Sequence, residues 1–173
     1  SLTATQISYV DVDDIDNIST SAIASMTPAI LARMSNKQLQ ALTSAQISAL
    51  TPAQIAGLGN DDIIAFTPDQ MKAMGTAQIG ALTKSQMTVL SGEQLAAIET
   101  ADISALAVTS IAALSSAQIS KLTPEQMAKL SAAQLAAITI AVVDDMTTAQ
   151  IQGLTSSQIK SLTALQIAAL TPA

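Results

Sequence analysis

Residues Thr43 to Leu58 read TSAQISAL-TPAQIAGL, which is one eight-residue unit written twice. The same unit can be laid over the chain without an insertion from Thr3 to Leu170, which is 168 residues or 21 octads. We number each octad so that Thr43 is position one and Leu50 is position eight. Self-similarity at a fixed period is the signature of repeat architectures. We therefore interpret the 173-residue chain as a single repeat domain, residues 1–173.

Two positions of the octad are apolar throughout. Position five is aliphatic or Met in all 21 octads, and position eight is apolar in all 21. Only Tyr9 and Phe66 are aromatic, so we expect an aliphatic core. The pattern predicts that Lys37, Lys84 and Glu93 are exposed. It predicts that the following residues are buried: Ile47, Leu50, Ile55, Leu58, Ile79, Leu82, Ile119 and Leu122.

The polar positions predict where each helix begins. All five Pro residues stand at position two, and Pro is tolerated at the first position of a helix but not inside one. Thr or Ser at position one with Gln at position four has the spacing of a capping box. The octad therefore predicts a helix from position two to position eight and a break at position one, for example at Thr43, Thr51, Thr67 and Thr123. Capping also accounts for the ladder of hydroxyls at position one, for which the alternative is an ice-binding surface.

Two other architectures conflict with the phase of the pattern. Eight residues advance a helix by two turns plus about 80°, so a continuous helix would rotate its apolar pair away in every octad. No face would stay apolar for long enough to pack in a bundle or a coiled coil. Strands would point positions five and eight to opposite faces. The sequence thus predicts an all-α solenoid or superhelix of 21 short helices, and it leaves the number of octads per turn open.

The composition excludes several classes of protein. The chain has no Cys and no His, which rules out disulfides, the usual zinc sites and thiol or imidazole catalysis. A net charge of −6 argues against nucleic acid as a partner. No apolar run approaches the length of a membrane span. A close-packed solenoid of small residues offers no pocket for acid–base catalysis, so we predict no enzyme, no catalytic residue, no cofactor and no metal site.

Four aspartates near the N-terminus invite comparison with an EF-hand calcium loop: Asp11, Asp13, Asp14 and Asp16. The Gly and the Glu that the loop needs at its sixth and twelfth positions are missing, since Asp16 and Ala22 stand there. We interpret Asp11 as a helix cap, and Asp13 and Asp14 as first-turn carboxylates that favour the helix dipole. The pairs Asp61-Asp62 and Asp144-Asp145 are not interpreted as calcium ligands either, and the first of these pairs also lies in a predicted first turn.

The octad resembles two known kinds of repeat. The strings Leu50-Thr-Pro-Ala-Gln54 and Leu122-Thr-Pro-Glu-Gln126 resemble the start of the repeat in TAL effectors, but the second helix, the base-reading pair and the basic character of that family are absent. The chain from Thr3 to Leu170 resembles the Thr-x-Ala-Gln-Ile-x-Ala-Leu octapeptide arrays of very large secreted or surface proteins of Gram-negative bacteria, many of them adhesin-like. This second resemblance implies an exported, repetitive stalk or spacer and no particular ligand.

Two hypotheses for function follow. The leading one is a structural spacer or scaffold segment of a large bacterial secreted or cell-surface protein, outside the cell. The alternative is a binding solenoid that takes a peptide, a glycan or a partner protein on its concave face. Such a binder should carry a contiguous exposed patch, and the sequence has no aromatic cluster to form one.

The two ends of the array differ. The first four octads are the most divergent, with Ala22 and Ile30 in place of Gln, and the acidic run could blunt this end with charge. No polar terminal repeat is visible at the other end, where Leu165 adds an apolar residue and Thr171 begins another octad in phase. The chain also begins without a Met, so we expect a slice of a longer array. We further expect the C-terminal end to expose apolar surface and to self-associate weakly.

Overall fold

The computed structural model describes residues 3–170, which form one short helix in each of the 21 octads and no strand. Two of these are 3-10 helices, Val12–Asn17 and Thr100–Ala105. None in this described range is long and apolar enough to cross a membrane, since the longest has six residues. The other nineteen are α-helices: Ala4–Ser8, Thr20–Ser25, Pro28–Leu31, Asn36–Ala41, Ser44–Ala49, Pro52–Gly57, Asn60–Ala65, Pro68–Ala73, Thr76–Gly80, Lys84–Val89, Gly92–Ala97, Val108–Ile111, Ser116–Ile119, Pro124–Met127, Ala132–Ala136, Ile140–Asp144, Thr148–Gly153, Ser156–Ser161 and Ala164–Ala169.

Position one breaks the helix, as the octad predicts. Thr43 has an extended backbone with φ −70° and ψ 160°, and its hydroxyl accepts a hydrogen bond from the backbone N–H of Gln46. Thr51, Thr67 and Thr123 are extended caps of the same kind, which confirms the predicted boundaries. The predicted C-terminal boundary is wrong by at least one residue. Helices end at position seven or earlier, and in the regular octads position eight is extended, because redirecting the chain between consecutive helices takes two non-helical residues.

The helices pack against helices three octads away along the chain. Ser44–Ala49, for example, contacts Thr20–Ser25 on one side and Pro68–Ala73 on the other. Side-chain hydrogen bonds between these layers join residues that are 25 to 31 positions apart. One superhelical turn therefore contains between three and four octads, which is the quantity that the sequence leaves open.

Positions five and eight build one core through the superhelix. A single cluster of buried apolar side chains extends from Ile7 to Leu154. The three residues predicted to be exposed, Lys37, Lys84 and Glu93, lie on the surface. The predicted core is also confirmed, since these eight side chains are at most 5 % exposed: Ile47, Leu50, Ile55, Leu58, Ile79, Leu82, Ile119 and Leu122.

Small residues at position seven let successive turns approach closely. A Cβ placed on Gly57 would lie 2.6 Å from Cβ of Pro28, and one placed on Gly153 would lie 2.8 Å from Cβ of Pro124. Each of these prolines stands at position two, three octads before its glycine. Close packing of this kind leaves little room for a larger side chain at these two contacts.

Replacing Ile79 by Ala tests whether the core depends on contacts between turns. Ile79 is fully buried at position five, so Ile79→Ala should lower the free energy of unfolding by about 2–5 kcal/mol. Ile159 is the matched control, because it also stands at position five but is 36 % exposed in the last turn. Ile159→Ala should cost less than about 1 kcal/mol, as surface changes do. Urea unfolding followed by circular dichroism measures both, and equal losses would contradict this account of the core.

Candidate functional site

Glutamine at position four lies inside the superhelix. Fourteen octads carry this residue, and Gln6, in the first octad, is exposed. The spacing in the sequence predicts only a capping role for it, which does not require burial. In the other thirteen octads the side chain is buried: Gln38, Gln46, Gln54, Gln70, Gln78, Gln86, Gln94, Gln118, Gln126, Gln134, Gln150, Gln158 and Gln166.

Gln86 shows what the buried carboxamide binds. Its Oε1 accepts a hydrogen bond from the backbone N–H of Thr83 at 2.8 Å, which completes the predicted capping box. Its Nε2 donates to two backbone carbonyls of the preceding turn, those of Ile55 at 2.8 Å and Leu58 at 2.9 Å. We call these three hydrogen bonds the carboxamide clamp: one to the octad's own position one, and two to positions five and eight of the octad four places earlier.

All thirteen buried glutamines make the same clamp. The two carbonyl acceptors always lie 31 and 28 positions earlier, at Nε2–O distances of 2.6 to 3.3 Å. Among the described residues, no buried side-chain nitrogen or oxygen lacks a hydrogen-bond partner. The buried polar side chains of this core are therefore fully satisfied, as buried polar groups generally are.

The clamp serves carbonyls that a short helix cannot satisfy by itself. The last carbonyls of a helix have no donor within the helix. The carbonyl of Leu58 is an example, because within residues 3–170 its hydrogen bond comes from Gln86 alone. A buried carbonyl without a hydrogen-bond partner lowers the stability of the fold by about 1–3 kcal/mol. Each clamp therefore prevents this loss of stability in the turn that it binds.

The chemistry of the clamp requires a carboxamide. An ionised Glu could accept from the N–H at position one but has no proton to donate, and Lys could donate but not accept. The sequence carries a sign of this that its spacing does not reveal. A capping box uses Glu or Gln, yet no Glu stands at position four in any octad. The absence of Glu indicates that the side chain at position four must donate hydrogen bonds as well as accept one. The prediction of a capping role alone does not include this donation.

Seven octads lack Gln at position four. Three of them lie in the first turn, where Asp14, Ala22 and Ile30 have no described octad four places earlier to clamp. The others occur inside the array at Asp62, Asp102, Ser110 and Val142. Asp102 is buried and accepts a hydrogen bond from the hydroxyl of Thr76 instead. Individual clamps can therefore be absent without breaking the superhelix.

The acidic run lies on the exposed surface of the first turn. Asp13 and Asp14 occupy the first turn of Val12–Asn17, as predicted. Asp11 is the N-cap residue, as predicted, but its carboxylate makes no cap hydrogen bond, and the N–H of Asp14 donates to the backbone carbonyl of Asp11 at 3.0 Å instead. Over residues 3–170, no group of three or more acidic side chains is arranged to hold a metal ion.

Most hydroxyls at position one are engaged in capping, and Thr139 is an exception that makes no side-chain cap hydrogen bond. Thr43, Thr51 and Thr83 each accept a hydrogen bond from the backbone N–H three residues later, at 3.2 to 3.3 Å. Several of them also donate to the clamp, as Thr43 does to Oε1 of Gln46 at 3.2 Å. An ice-binding surface would have to use these same hydroxyls. Their orientation is already fixed by the hydrogen bonds that they make at the helix N-termini.

Two open depressions share Lys72 and Glu99. One is lined in addition by Ala96, Ala97, Ile98 and Thr100, and the other by Ser44, Ser48, Asp69 and Ala73. Neither contains an aromatic side chain that could stack on a sugar or anchor a peptide. These two depressions therefore give no support to a binding role. A third depression, near the N-terminal end, does contain an aromatic side chain, since Tyr9 and Arg33 line it with Ala4, Thr5 and Ser8. The prediction that the chain is not an enzyme stays a prediction.

Replacing Gln86 by Leu should remove one complete clamp. Gln86→Leu leaves the carbonyl of Leu58 without a donor, so we expect a loss of about 2–4 kcal/mol in the free energy of unfolding. Gln6→Leu is the matched control, because Gln6 makes the capping bond to Thr3 but is exposed. Its loss should stay below about 1 kcal/mol. Urea unfolding measures both free energies. If Gln86→Leu lowers the free energy of unfolding no more than the control does, the clamp does not stabilise the fold as described.

Replacing Gln86 by Glu should make stability depend on pH. The substitution Gln86→Glu keeps the acceptor of the capping box and removes both donors. The introduced carboxyl would be buried against two carbonyls, which raises its pKa above the value in the unfolded chain because the charged form loses water and faces oxygen atoms.

The stability of this variant relative to the unchanged chain should be greatest below the pKa of an unfolded Glu. It should be lost as the pH rises through the raised pKa of the folded state, since the folded chain then holds a proton that the unfolded chain has released. Urea unfolding between about pH 4 and pH 8 measures this, and a constant difference between the two chains would contradict it.

The model of the ALTTAQ repeat family matches the chain three times, over residues 23–60, 55–92 and 95–132, which together cover more than half of its length. The six letters of that name correspond to positions seven, eight and one to four, as in Ala41-Leu-Thr-Ser-Ala-Gln46. They therefore span the end of one helix, the next cap and the clamp glutamine. The chain matches none of the curated proteins with which it was compared. The three matches show that the chain belongs to the ALTTAQ repeat family.

Proposed function

We propose that the chain is a structural spacer or scaffold segment of a large bacterial secreted or cell-surface protein, on the outside of the cell. The observation that carries the proposal is where the specific side chains lie. In the inner turns, positions four, five and eight, which define the octad, point into the superhelix, where they hold one turn to the next. The recurring chemistry of this sequence is therefore used to build the superhelix itself.

The described surface supports a spacer in a second way. Away from the C-terminal end, the large apolar side chains that are exposed are scattered along the chain: Tyr9, Val12, Ile64, Val108 and Ile140. Scattered apolar residues are normal on a protein surface, whereas a binding site shows a contiguous patch. With three to four octads in a turn and about 8–10 Å between packed helices, the stack is on the order of 50 Å long.

A consensus replacement separates the spacer from the alternative, a binding solenoid for a peptide, glycan or partner protein. In the full gene product, residues 3–170 would be replaced by 21 copies of TSAQISAL. This replacement keeps the caps, the core and the clamps, but it removes the surface residues that differ from one octad to the next. A spacer should retain the attachment or display activity of the full protein, while deletion of the segment should reduce it. Loss of activity on consensus replacement would favour the binding solenoid. Protease treatment of intact cells tests the proposed location.

The C-terminal end should also self-associate weakly. Leu165 is 66 % exposed and Ile167 is 42 % exposed, and Leu170 is only partly buried beside them. Sedimentation of the unchanged chain should show association that grows with concentration, and Leu165→Lys with Leu170→Lys should abolish it. Ile64→Lys is the matched control, because Ile64 is an exposed apolar residue far from the end. A strictly monomeric chain at millimolar concentration would refute this association.

A further inference from the structure

The octad of residues 107–114, in the interior of the array, lacks the clamp on both of its sides. Its own position four is Ser110, and the carbonyl of Leu82, which a glutamine there would bind, receives a hydrogen bond from no described residue. On the other side Val142 occupies position four, and the carbonyl of Leu114 likewise has no donor within residues 3–170. We call residues 107–114 the unclamped octad.

The helix of the unclamped octad also begins without a side-chain cap. Ala107 stands at position one and has no hydroxyl, so the helix Val108–Ile111, which is only four residues long, has no side-chain cap hydrogen bond. The N–H of Ala107 has no acceptor among the described residues either, because Ser110 provides no carboxamide oxygen. No hydrogen bond of the described structure joins this octad to another turn, so the burial of Ile111 and Leu114 holds it in place.

Every other octad between residues 35 and 138 keeps at least one clamp. The octads of Asp62 and Asp102 make none of their own, but Gln94 and Gln134 bind their carbonyls. Two further octads receive no clamp, but their own glutamines bind the preceding turn. The unclamped octad is therefore the least constrained octad of this range.

The octads directly before and after the unclamped octad keep their clamps. Before it, the carbonyl of Leu106 accepts a hydrogen bond from Nε2 of Gln134 at 2.6 Å. After it, Nε2 of Gln118 donates to the carbonyl of Leu90 at 2.9 Å. Proteins open locally in contiguous units whose opening free energy is lower than that of global unfolding. Because both neighbours stay bound, such an opening is confined here to one octad.

We propose that the unclamped octad opens locally as a loop of eight residues, and that an endopeptidase which accepts small side chains cleaves the folded chain there. Proteolysis of folded proteins concentrates in segments that open and carry small or polar residues, and this octad reads Ala107-Val-Thr-Ser-Ile-Ala-Ala-Leu114. In the cleavage, water adds to the carbonyl carbon of one peptide bond and the C–N bond breaks. One new carboxylate and one new amino terminus are formed.

The cleaved chain should remain one superhelix. Clamps from Gln118, Gln126 and Gln134 connect the octads after the cut to the octads before it. The cluster of buried apolar side chains also continues across this region. Cleavage therefore creates two new termini without releasing either part, and this holds whether or not the chain is a spacer.

Limited digestion with elastase tests the site. Elastase has a small specificity pocket, and every octad between residues 35 and 138 contains Ala or Val, so the first cut reports which octad opens. We expect the first cut of this range within residues 107–114, and we expect the cut chain to elute in gel filtration as the uncut chain does. A first cut in another octad of the range, or separation of the two fragments, would overturn the proposal.

Two substitutions each supply a missing clamp. Ser110→Gln places a carboxamide near the carbonyl of Leu82, and Val142→Gln places one near that of Leu114. Each should slow the cut about tenfold, because cleavage follows the population of the open form and a pair of hydrogen bonds is worth about tenfold. Thr109→Gln is the matched control, since it adds the same side chain at an exposed position of the octad. If neither clamp variant is cut more slowly than this control, the proposal is wrong.

Hydrogen exchange of two matched amides measures the opening without a protease. Ile111 and Ile119 each end a four-residue helix and are 1 % exposed, and their N–H groups donate to position-one carbonyls at 3.1 and 2.9 Å. The octad of Ile119 makes a clamp through Gln118 and receives one from Gln150. After correction for intrinsic rates, Ile111 should exchange about 100-fold faster, at about tenfold for each missing clamp. Equal exchange rates would show that the octad does not open separately.

Discussion

The bond between a glutamine carboxamide and the carbonyls of the preceding turn is the interaction on which this superhelix depends. A helix of four to six residues is too short to be stable alone, and it leaves carbonyls without donors at its end. The clamp stabilises the short helix and satisfies the carbonyls at the end of another one. Nε2 of Gln86 satisfies Ile55 and Leu58, while Oε1 fixes the start of its own helix at Thr83. A single side chain therefore joins local capping to the stacking of turns.

The clamp also gives the array a direction, because each buried glutamine binds carbonyls that lie nearer the N-terminus. Asp14, Ala22 and Ile30 replace Gln where no described turn lies beneath them. Viewed along the sequence these substitutions resemble drift, but they coincide with the octads in which a clamp would have no acceptor in the described structure. The interior exceptions are different, because Asp62 and Val142 each leave an acceptor octad unclamped within the stack. Stability is thus distributed over many similar contacts, as in other solenoids.

The sequence predicts the features that depend on residues within one octad. It does not predict the hydrogen bonds between octads of different turns. Pro at position two and Thr at position one act within one octad, so the caps at Thr51 and Thr67 could be predicted. The burial of Ile79 follows from the apolar period for the same reason. The second partner of Gln86 could not be predicted from spacing, because a backbone carbonyl is present at every residue and leaves no mark in the sequence. The number of octads per turn depends on these hydrogen bonds between turns. Because the carbonyl acceptors cannot be identified from the sequence, the sequence does not predict this number.

The order of donor and acceptor along the chain has a consequence for how the protein forms. Every clamp donor is C-terminal to its acceptors, and the two lie no more than 31 residues apart. A chain that emerges from its N-terminus, from a ribosome or through an export channel, completes each set of acceptors before the matching glutamine appears. Contacts of such short range favour fast folding, and their range does not grow as octads are added. The finished part can therefore act as a template for the part still arriving.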